Sequence, residues 1–483
     1  MNREELLSTN ELYDKKKGDW EFYEAAYKGA KALVDWGVLR QFEADPVNFR
    51  ARKAAAFGFN YTKRIVDVMS DFLREAPFIE EYGSLNKDAS WKMFVNDCDL
   101  FGTNWSNFWS LKRRWASIYG HCGIFVDKAS GPFETVAEEI ANGVYPYLAY
   151  YSPLHILDWA YKRDPTTNRP ALVYLKLFED DGSVRIWDLQ EWEVWVIPKD
   201  TSEEPFLEKT GANTLGKIPF AWFANGQDVR NVFHSVSDVA DISLIDASLI
   251  RDASSADEII TNAAFPMLAL PKEPLGDGGD NSAVEVGPTR ILEFDSEGAR
   301  PAWLESKVLD SISAILKFWE KKSDEMYGMA NLSALREIAK SKERRSGDSL
   351  KETFRFLNTS LSEKVDSEIE TRLLCMKYWM EWQGMGASFN DMAITHEKKF
   401  NAERLILSIK DAVEAEEAVQ SEFFSGEIRK LIVKRTLPGI TGEQISVIEA
   451  EIKKSLVAKT VPSDVEAKKG TGTIPVVPDA EKK

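Results

Sequence analysis

Residues 232–264 contain neither glycine nor proline, and their apolar side chains recur every three or four positions. Val236, Val239, Ile242, Ile245, Leu249, Ile250, Ala253, Ala256, Ile259, Ile260 and Ala263 trace one helical stripe. At 1.5 Å per residue such a helix runs about 50 Å. Its other face is short and polar, with Ser237, Asp238, Asp241, Ser243, Asp246, Ser248, Asp252, Ser254 and Ser255. Helix faces that only meet water usually favour long Lys and Glu. Small side chains instead let neighbouring helices approach closely. One long core helix in a monomer carries the same stripe, so the pattern leaves both readings open. Pro266 and Pro271 end the helix, because proline has no N–H to donate and its ring clashes with the preceding turn.

The order of elements around this helix is unusual. Gly276-Asp277-Gly278-Gly279 reads as a loop, and residues 284–286 and 290–294 read as strands. A second helix follows over 305–327, so two helices flank a small strand-bearing insert, an arrangement suited to projecting a tip away from the body. The pattern breaks over 328–347, and a strong helix resumes from Ser349 to about Trp382. Residues 402–459 read as helical, with a turn at Pro438-Gly439 and Thr441 as an N-cap. Residues 461–483, rich in Pro, Gly, Lys, Thr and Val, are expected to be disordered. Towards the N-terminus, helices are expected through Tyr27, Ala30, Leu33 and Val34, over 54–73, and over 112–119 up to Gly120. Gly58 weakens the start of the second of these. Strands are expected over 123–127, 147–151, 171–178, 184–189 and 193–197, with Asp180-Asp181-Gly182-Ser183 as a hairpin turn. Trp187, Trp192 and Trp195 fall in this β-rich part and read as core or subunit-contact residues. The fold class is therefore α+β, mainly helical.

At 483 residues the chain has room for more than one core. Its formal net charge is −17, which argues against tight binding of nucleic acid, because phosphate contacts need Lys and Arg. A chain this acidic either ignores DNA or handles it without holding it. No apolar run approaches the roughly 18–20 residues of a membrane span, and the polar start, Met1-Asn2-Arg3-Glu4-Glu5, is no secretory signal. Cys98, Cys122 and Cys375 are scattered and odd in number, which suits a reducing cytoplasm better than a disulfide framework.

Signs of catalysis are weak. No Gly-rich loop carries the Lys-Ser/Thr pair of a nucleotide site, and no Gly-x-Ser-x-Gly elbow is present. His121, His155, His234 and His396 are isolated, without the Cys/His spacing of a zinc site. Asp97 and Asp99 form a carboxylate pair that either caps a turn or, as the alternative, holds a divalent cation in a nuclease. The one concentrated basic feature is Arg336, Lys340, Lys342, Arg344 and Arg345. It reads either as a solvated surface segment or as a loop that meets phosphate in a weak, sequence-blind, salt-sensitive way.

Several motifs taken in order carry a family resemblance. Asn96-Asp97-Cys98-Asp99-Leu100-Phe101-Gly102, leading to Gly120-His121-Cys122-Gly123-Ile124-Phe125-Val126-Asp127, resembles the N-terminal signature of tailed-bacteriophage portal proteins. So does the run from Pro146 through Tyr151-Ser152-Pro153 to Ile156-Leu157-Asp158-Trp159. Ser346-Gly347-Asp348-Ser349-Leu350-Lys351 is similar to a helix start in that family, and Ser425-Gly426-Glu427-Ile428 with Leu437-Pro438-Gly439 and Glu443 to its C-terminal helices. The resemblance spans roughly residues 45–455. Order and spacing carry it, since no single motif is specific.

The resemblance implies a portal-type, ring-forming fold. Residues 1–231, including the β-rich part at about 145–197, would be the wing, joined by a wing helix over 348–390. Residues 232–264 and 305–327 would be stem helices, 265–304 the clip, 328–347 the tunnel loop, 391–460 the crown and 461–483 a disordered tail. It implies no enzyme activity and no cofactor or metal. The expected assembly is a dodecamer at one capsid vertex of the virion, built in the host cytoplasm, through which double-stranded DNA is packaged and ejected. Its partners would be the major capsid protein, terminase, and head-completion, adaptor and tail proteins, with no membrane. Arg336, Lys340, Lys342, Arg344 and Arg345 would then contact DNA. Asp241, Asp246, Asp252, Ala253 and Ala256 would serve the stem channel and inter-subunit packing, and Gly276, Asp277, Gly278, Gly279 and Asp280 would dock partners. A different ring-forming virion adaptor or minor capsid protein is the alternative, followed by a metal-dependent nuclease using Asp97 and Asp99.

Overall fold

The computed structural model describes residues 1–43, 45–75, 78–129, 131, 133, 135–226, 235–264, 267–271, 292–294, 302–304, 309–333, 355–385, 392–396, 398 and 400. All of them belong to one compact unit, Met1–Phe400, while Asn401–Lys483, a separate unit, lies outside the described residues. The described chain is a mixed α+β structure with more helix than strand.

Local sequence sets the helix boundaries. α1 (Arg3–Leu7) starts at Asn2, whose side chain accepts from the Glu5 N–H while Glu5 reaches back in a capping box. α2 (Glu11–Lys28) and α3 (Ala30–Trp36) are two helices where the periodicity through Tyr27 and Val34 suggests one. The break is Gly29, at φ 107, where a Cβ would lie 2.7 Å from the Asn60 amide nitrogen. The helix expected over 54–73 is likewise two, α4 (Pro46–Ala55) and α5 (Tyr61–Glu75). Gly58 lies between them, and a Cβ there would meet Ile250 at 2.7 Å, so the connection is pressed too close for a side chain. α6 (Ala89–Asn96) follows, and α7 (Trp105–Tyr119) ends at Gly120, φ 90, as its sequence predicts. α8 is Val136–Ala141.

The strands form separate sheets. β1 (Phe78–Glu81) pairs with the late strand β13 (Ala393–His396). β2 (His121–Asp127) lies between β3 (Tyr147–Tyr151) and β9 (Phe220–Ala224), antiparallel to both. The β-rich part is a five-stranded antiparallel sheet, ordered β4 (Ile156–Arg163), β5 (Pro170–Phe178), β6 (Ser183–Asp188), β7 (Glu191–Val196), β8 (Phe206–Ala212). The turn between β5 and β6 closes as expected, with Gly182 at φ 87 donating its N–H to the Glu179 carbonyl at 3.0 Å. Trp187 is buried against Phe125, with ring centroids 5.0 Å apart, and stacks on Trp192, which is partly buried at the edge of the same cluster.

Three long helices complete the unit. α9 (Ala240–Ala264) begins later than the expected position 232. The residues just before it bond to the body instead: Ser237 Oγ donates to the Ile118 carbonyl at 2.5 Å, and the Asp238 carboxylate accepts from Lys364 Nζ at 2.6 Å. α10 (Leu309–Met329) ends through Asn331 in the left-handed region, φ 57. α11 (Arg355–Trp382) stops before Gly384, φ 69. Between α9 and α10 lies a small sheet in which β10 (Met267–Pro271) pairs parallel with β11 (Leu292–Phe294) and antiparallel with β12 (Ala302–Leu304).

The largest core joins α6, α7, β2, β9 and α11. Trp91, Trp105, Trp109 and Trp379 meet in it, with Trp91 and Trp379 edge to face at 4.9 Å. A second core ties α5 to α9, α10 and α11 through Ile65, Met69, Ile242, Leu249, Met326, Leu357 and Leu361.

Gly120 is a joint where backbone meets backbone, because a Cβ there would press on the Ser235 carbonyl and sit 3.1 Å from the Ser237 nitrogen. Gly120→Ala is expected to lower the unfolding free energy by on the order of 3 kcal/mol. Gly182→Ala, also at positive φ but with open space around it, should lose only about 1 kcal/mol. Urea midpoints of the two variants check this difference.

Candidate functional site

The α9–α10 pair is the element that the sequence marks most strongly. The helices are antiparallel: Lys322 Nζ of α10 donates to Ser248 Oγ and Asp252 Oδ2 of α9, both at 2.5 Å, while Met326, farther along α10, packs with Ile242 and Leu249, earlier on α9. The small polar face of α9 turns largely into its own subunit. Asp246 is buried, and its Oδ2 accepts from the Thr62 N–H at 3.0 Å and the Thr62 hydroxyl at 2.7 Å. Burial pushes its carboxyl above the usual range, opposed in part by the hydrogen bonds from Thr62. Ser254 is buried and accepts from Arg52 Nη1 at 3.1 Å. Arg52, itself buried, is paired with Glu43 and stacks on Phe42 at 4.1 Å.

These contacts correct part of the expectation for α9. Asp246 and Ala253 are enclosed within their own chain, at 3% and 2% exposure, and so meet neither a channel nor a neighbouring subunit. The small side chains there admit α4 and α5 of the same subunit. Asp241 is exposed, Asp252 is half-buried and neutralised by Lys322, and Ala256 is half-buried.

Burial within the chain stops near Ala256. None of residues 255–261 is buried, and neither is any of 310–321 on α10. This outer half nevertheless carries large apolar side chains: Ile260 is 50% exposed, and Leu316 and Phe318 are each 55% exposed. Lower on α9, Leu244 is 59% exposed. At about 100° per residue, Leu316 and Phe318 point to opposite flanks of α10. Leu244 and Ile260 likewise fall about 160° apart around α9. With the helices antiparallel, Leu316 and Ile260 share one flank, and Phe318 and Leu244 the other. Phe59, 61% exposed, contacts Trp319 at 5.6 Å between ring centroids, and Phe57 meets Phe59 edge to face at 6.5 Å.

The stripe of small and apolar residues located the hairpin and contains Ile260, but it does not mark Leu244, Leu316 or Phe318. Leu244 lies off the stripe. A sequence signal was present in Leu316-Lys317-Phe318-Trp319, since three large apolar residues within four positions of a helix cannot all face one side.

The other expected sites divide into two groups. Gly276, Asp277, Gly278, Gly279 and Asp280 lie outside the described residues, as do Arg336, Lys340, Lys342, Arg344 and Arg345. Asp97 and Asp99 are described, and both act on their own loop. Asp97 Oδ1 accepts from the Gly102 N–H at 2.8 Å, and Asp99 Oδ1 accepts from the N–H groups of Phe101 and Thr103 at 3.0 and 3.2 Å. The loop holds Leu100 at φ 63 and leaves Phe101 91% exposed. Among the described residues no group of three His, Cys, Asp or Glu side chains is placed to hold a metal ion. His121 is buried between Trp20 and Trp222, and burial pushes its imidazole down to about 4. Burial also pushes the thiols of Cys98, Cys122 and Cys375 well above their usual range, as for inert core cysteines. No helix among the described residues is long and apolar enough to cross a membrane.

No known family model matches the chain, and no curated protein matches it.

The buried Asp246 generates a pH prediction. Its folded carboxyl holds a proton more tightly than the unfolded one, so its contribution to stability falls as pH rises from about 4 through the raised value. Asp246→Asn keeps an acceptor for Thr62 and removes the titration. The unfolding free energy of the variant relative to wild type should therefore move in the variant's favour between pH 4 and neutrality, read from urea unfolding across that range.

Proposed function

We propose that this chain is the subunit of a tailed-bacteriophage portal, a ring at one capsid vertex through which double-stranded DNA is packaged and ejected. The observation that carries the reading is the two-sided apolar exposure of the α9–α10 hairpin. A two-fold dimer covers one self-complementary patch, whereas a closed ring needs two unlike patches, one for each neighbour. Leu316 and Ile260 on one flank, with Phe318 and Leu244 on the other, meet that requirement. Each is about half exposed, so covering the remainder contributes on the order of 1 kcal/mol per side chain, repeated at every contact around the ring.

Charge supports the same reading. Outside its buried and paired carboxylates α9 carries Asp241, Asp257 and Glu258 against Arg251, and the whole chain has a formal net charge of −17. A wall of this sign repels phosphate and gives passing DNA no well in which to stop. The acidic surface belongs to the hairpin, while the basic segment at 336–345 would give a local, salt-sensitive contact with DNA. Within this proposal the subunits number about a dozen, the segment around Gly276–Asp280 docks terminase and later the head-completion, adaptor or tail proteins, and the major capsid protein surrounds the ring. The protein acts in the virion after assembly in the host cytoplasm and is not an enzyme.

Negative-stain microscopy of the purified chain tests the reading: rings with a central hole are expected, and a monomer or a two-fold dimer would overturn it. The flanks give a sharper check. Leu316→Glu and Phe318→Glu should each shift the light-scattering mass from ring to small species. Each should alter subunit stability by no more than about 0.5 kcal/mol, because both side chains are surface positions within the subunit. Intact rings from both variants would remove the hairpin flanks from the assembly.

A further inference from the structure

α11 carries three buried charges one turn apart on one face: Lys364, Glu368 and Arg372, at 8%, 1% and 2% exposure. Each is held by a different part of the body. Lys364 Nζ donates to both oxygens of Asp238, at 2.8 and 2.6 Å, and to Asn225 Oδ1 at 2.6 Å, just before the start of α9. Glu368 accepts from Arg113 of α7 in a two-point pair, Nε at 2.6 Å and Nη2 at 2.8 Å. Arg372 pairs with Glu80 of β1, and its guanidinium lies 4.0 Å from the Phe78 ring centroid. Along the helix the signs run plus, minus, plus, and along the partners they run minus, plus, minus.

We propose that this alternation is a register lock, a device that fixes α11 along its own axis. Packed helices can switch by sliding one turn past a neighbour, about 5.4 Å, because apolar side chains four residues apart re-engage the same grooves. The aliphatic part of the buried face of α11, with Leu357, Leu361, Val365, Met376 and Met380, offers little bar to such a step, and Trp379, whose indole N–H donates to the Pro146 carbonyl at 3.0 Å, marks the native register at one end. The charges bar that step. A one-turn slide in one direction sets Lys364 against Arg113 and Glu368 against Glu80. In the other it sets Glu368 against Asp238 and Arg372 against Arg113. Either way buried like charges meet without solvent to screen them. Buried ion pairs are weak evidence for stability, and fixing register is their best-attested use. Motion delivered to α11 therefore passes undivided to α7, to β1 and to the base of α9, and none of it is absorbed by slippage. This inference is independent of the ring assignment.

A charge exchange isolates the lock from the pairing. In Arg113→Glu/Glu368→Arg, every pair between α11 and the body remains of opposite sign in the native register and also one turn away, while position 368 becomes like-charged with Arg372 in either register. Spin labels at the exposed positions Asn107→Cys on α7 and Lys377→Cys on α11 report the axial position of the helix, with labelled full-length chains diluted into unlabelled ones. Wild type is expected to give one distance population, and the exchanged variant a second population displaced by up to about 5.4 Å. Arg113→Gln/Glu368→Gln is the companion, nearly isosteric, and removes the central like-charge contacts while keeping the outer pairs. It should show the same second population if the exchange prevents folding. A single native population in whichever of these variants folds, or two populations in wild type, would overturn the lock.

Discussion

The Glu368 carboxylate lies inside the largest core, where transfer from water costs an isolated charge several kcal/mol. Arg113 and Arg372 bracket it, and together they hold its pKa low against the cost of burial. Arg372 passes the connection on to Glu80, which also accepts from the Trp105 indole N–H at 2.9 Å. Two helices and a strand are thereby tied through one set of charge-assisted bonds within the Trp91, Trp105, Trp109 and Trp379 cluster. The fixed geometry of guanidinium against carboxylate adds a directional constraint that an apolar side chain at position 368 would not supply. The α9–α10 hairpin depends on this in turn, because α11 contributes Leu357, Leu361 and Val365 to the core that grips its inner half.

The hairpin divides into an inner half, buried by the rest of its own chain, and an outer half in which none of residues 255–261 or 310–321 is buried. Thr62, Arg52 and the close pass of Gly58 over Ile250 account for the small residues of the inner half. Small side chains at a helix surface thus served α4 and α5, while the exposed apolar surface is carried by larger ones, Leu244, Ile260, Leu316 and Phe318. The two requirements alternate along a single helix. That is why α9 reads as a continuous stripe although its neighbours change along its length.

Much of this fold was legible in the sequence where one local rule governed. Gly120 and the Asp180–Ser183 turn fixed a helix end and a hairpin, and the alternation in 171–197 gave three strands of the five-stranded sheet. Local rules missed what depends on contacts across the chain. The breaks at Gly29 and Gly58 arise from Asn60 and Ile250 pressing on the backbone, and no window around either glycine contains both partners. β8 was missed because its residues are mostly exposed at a sheet edge and show no clean alternation. β9 was missed because Phe220-Ala221-Trp222-Phe223-Ala224 is apolar on both faces, which leaves no period to read. At the candidate site, sequence found the helix but assigned Asp246 and Ala253 to the wrong neighbour, since a stripe of small residues does not say whose helix will fill it. The charged face of α11 was equally hidden: Lys364, Glu368 and Arg372 look like solvated positions until Asp238, Arg113 and Glu80 are brought to them.

The end of burial near Ala256 also has a mechanical meaning. Beyond that point α9 continues for about 12 Å beside the returning α10, and among the described residues the main contact from the body is Phe59 against Trp319. Such a pair is a cantilever, clamped at its base and loaded at its tip, and its deflection under a given force grows steeply with free length. A single subunit would bend there first. Flanked on both sides, the same helices would become staves of a barrel, in which sideways load on one is carried as compression by the next, so that stiffness would come from the number of subunits rather than from any one of them.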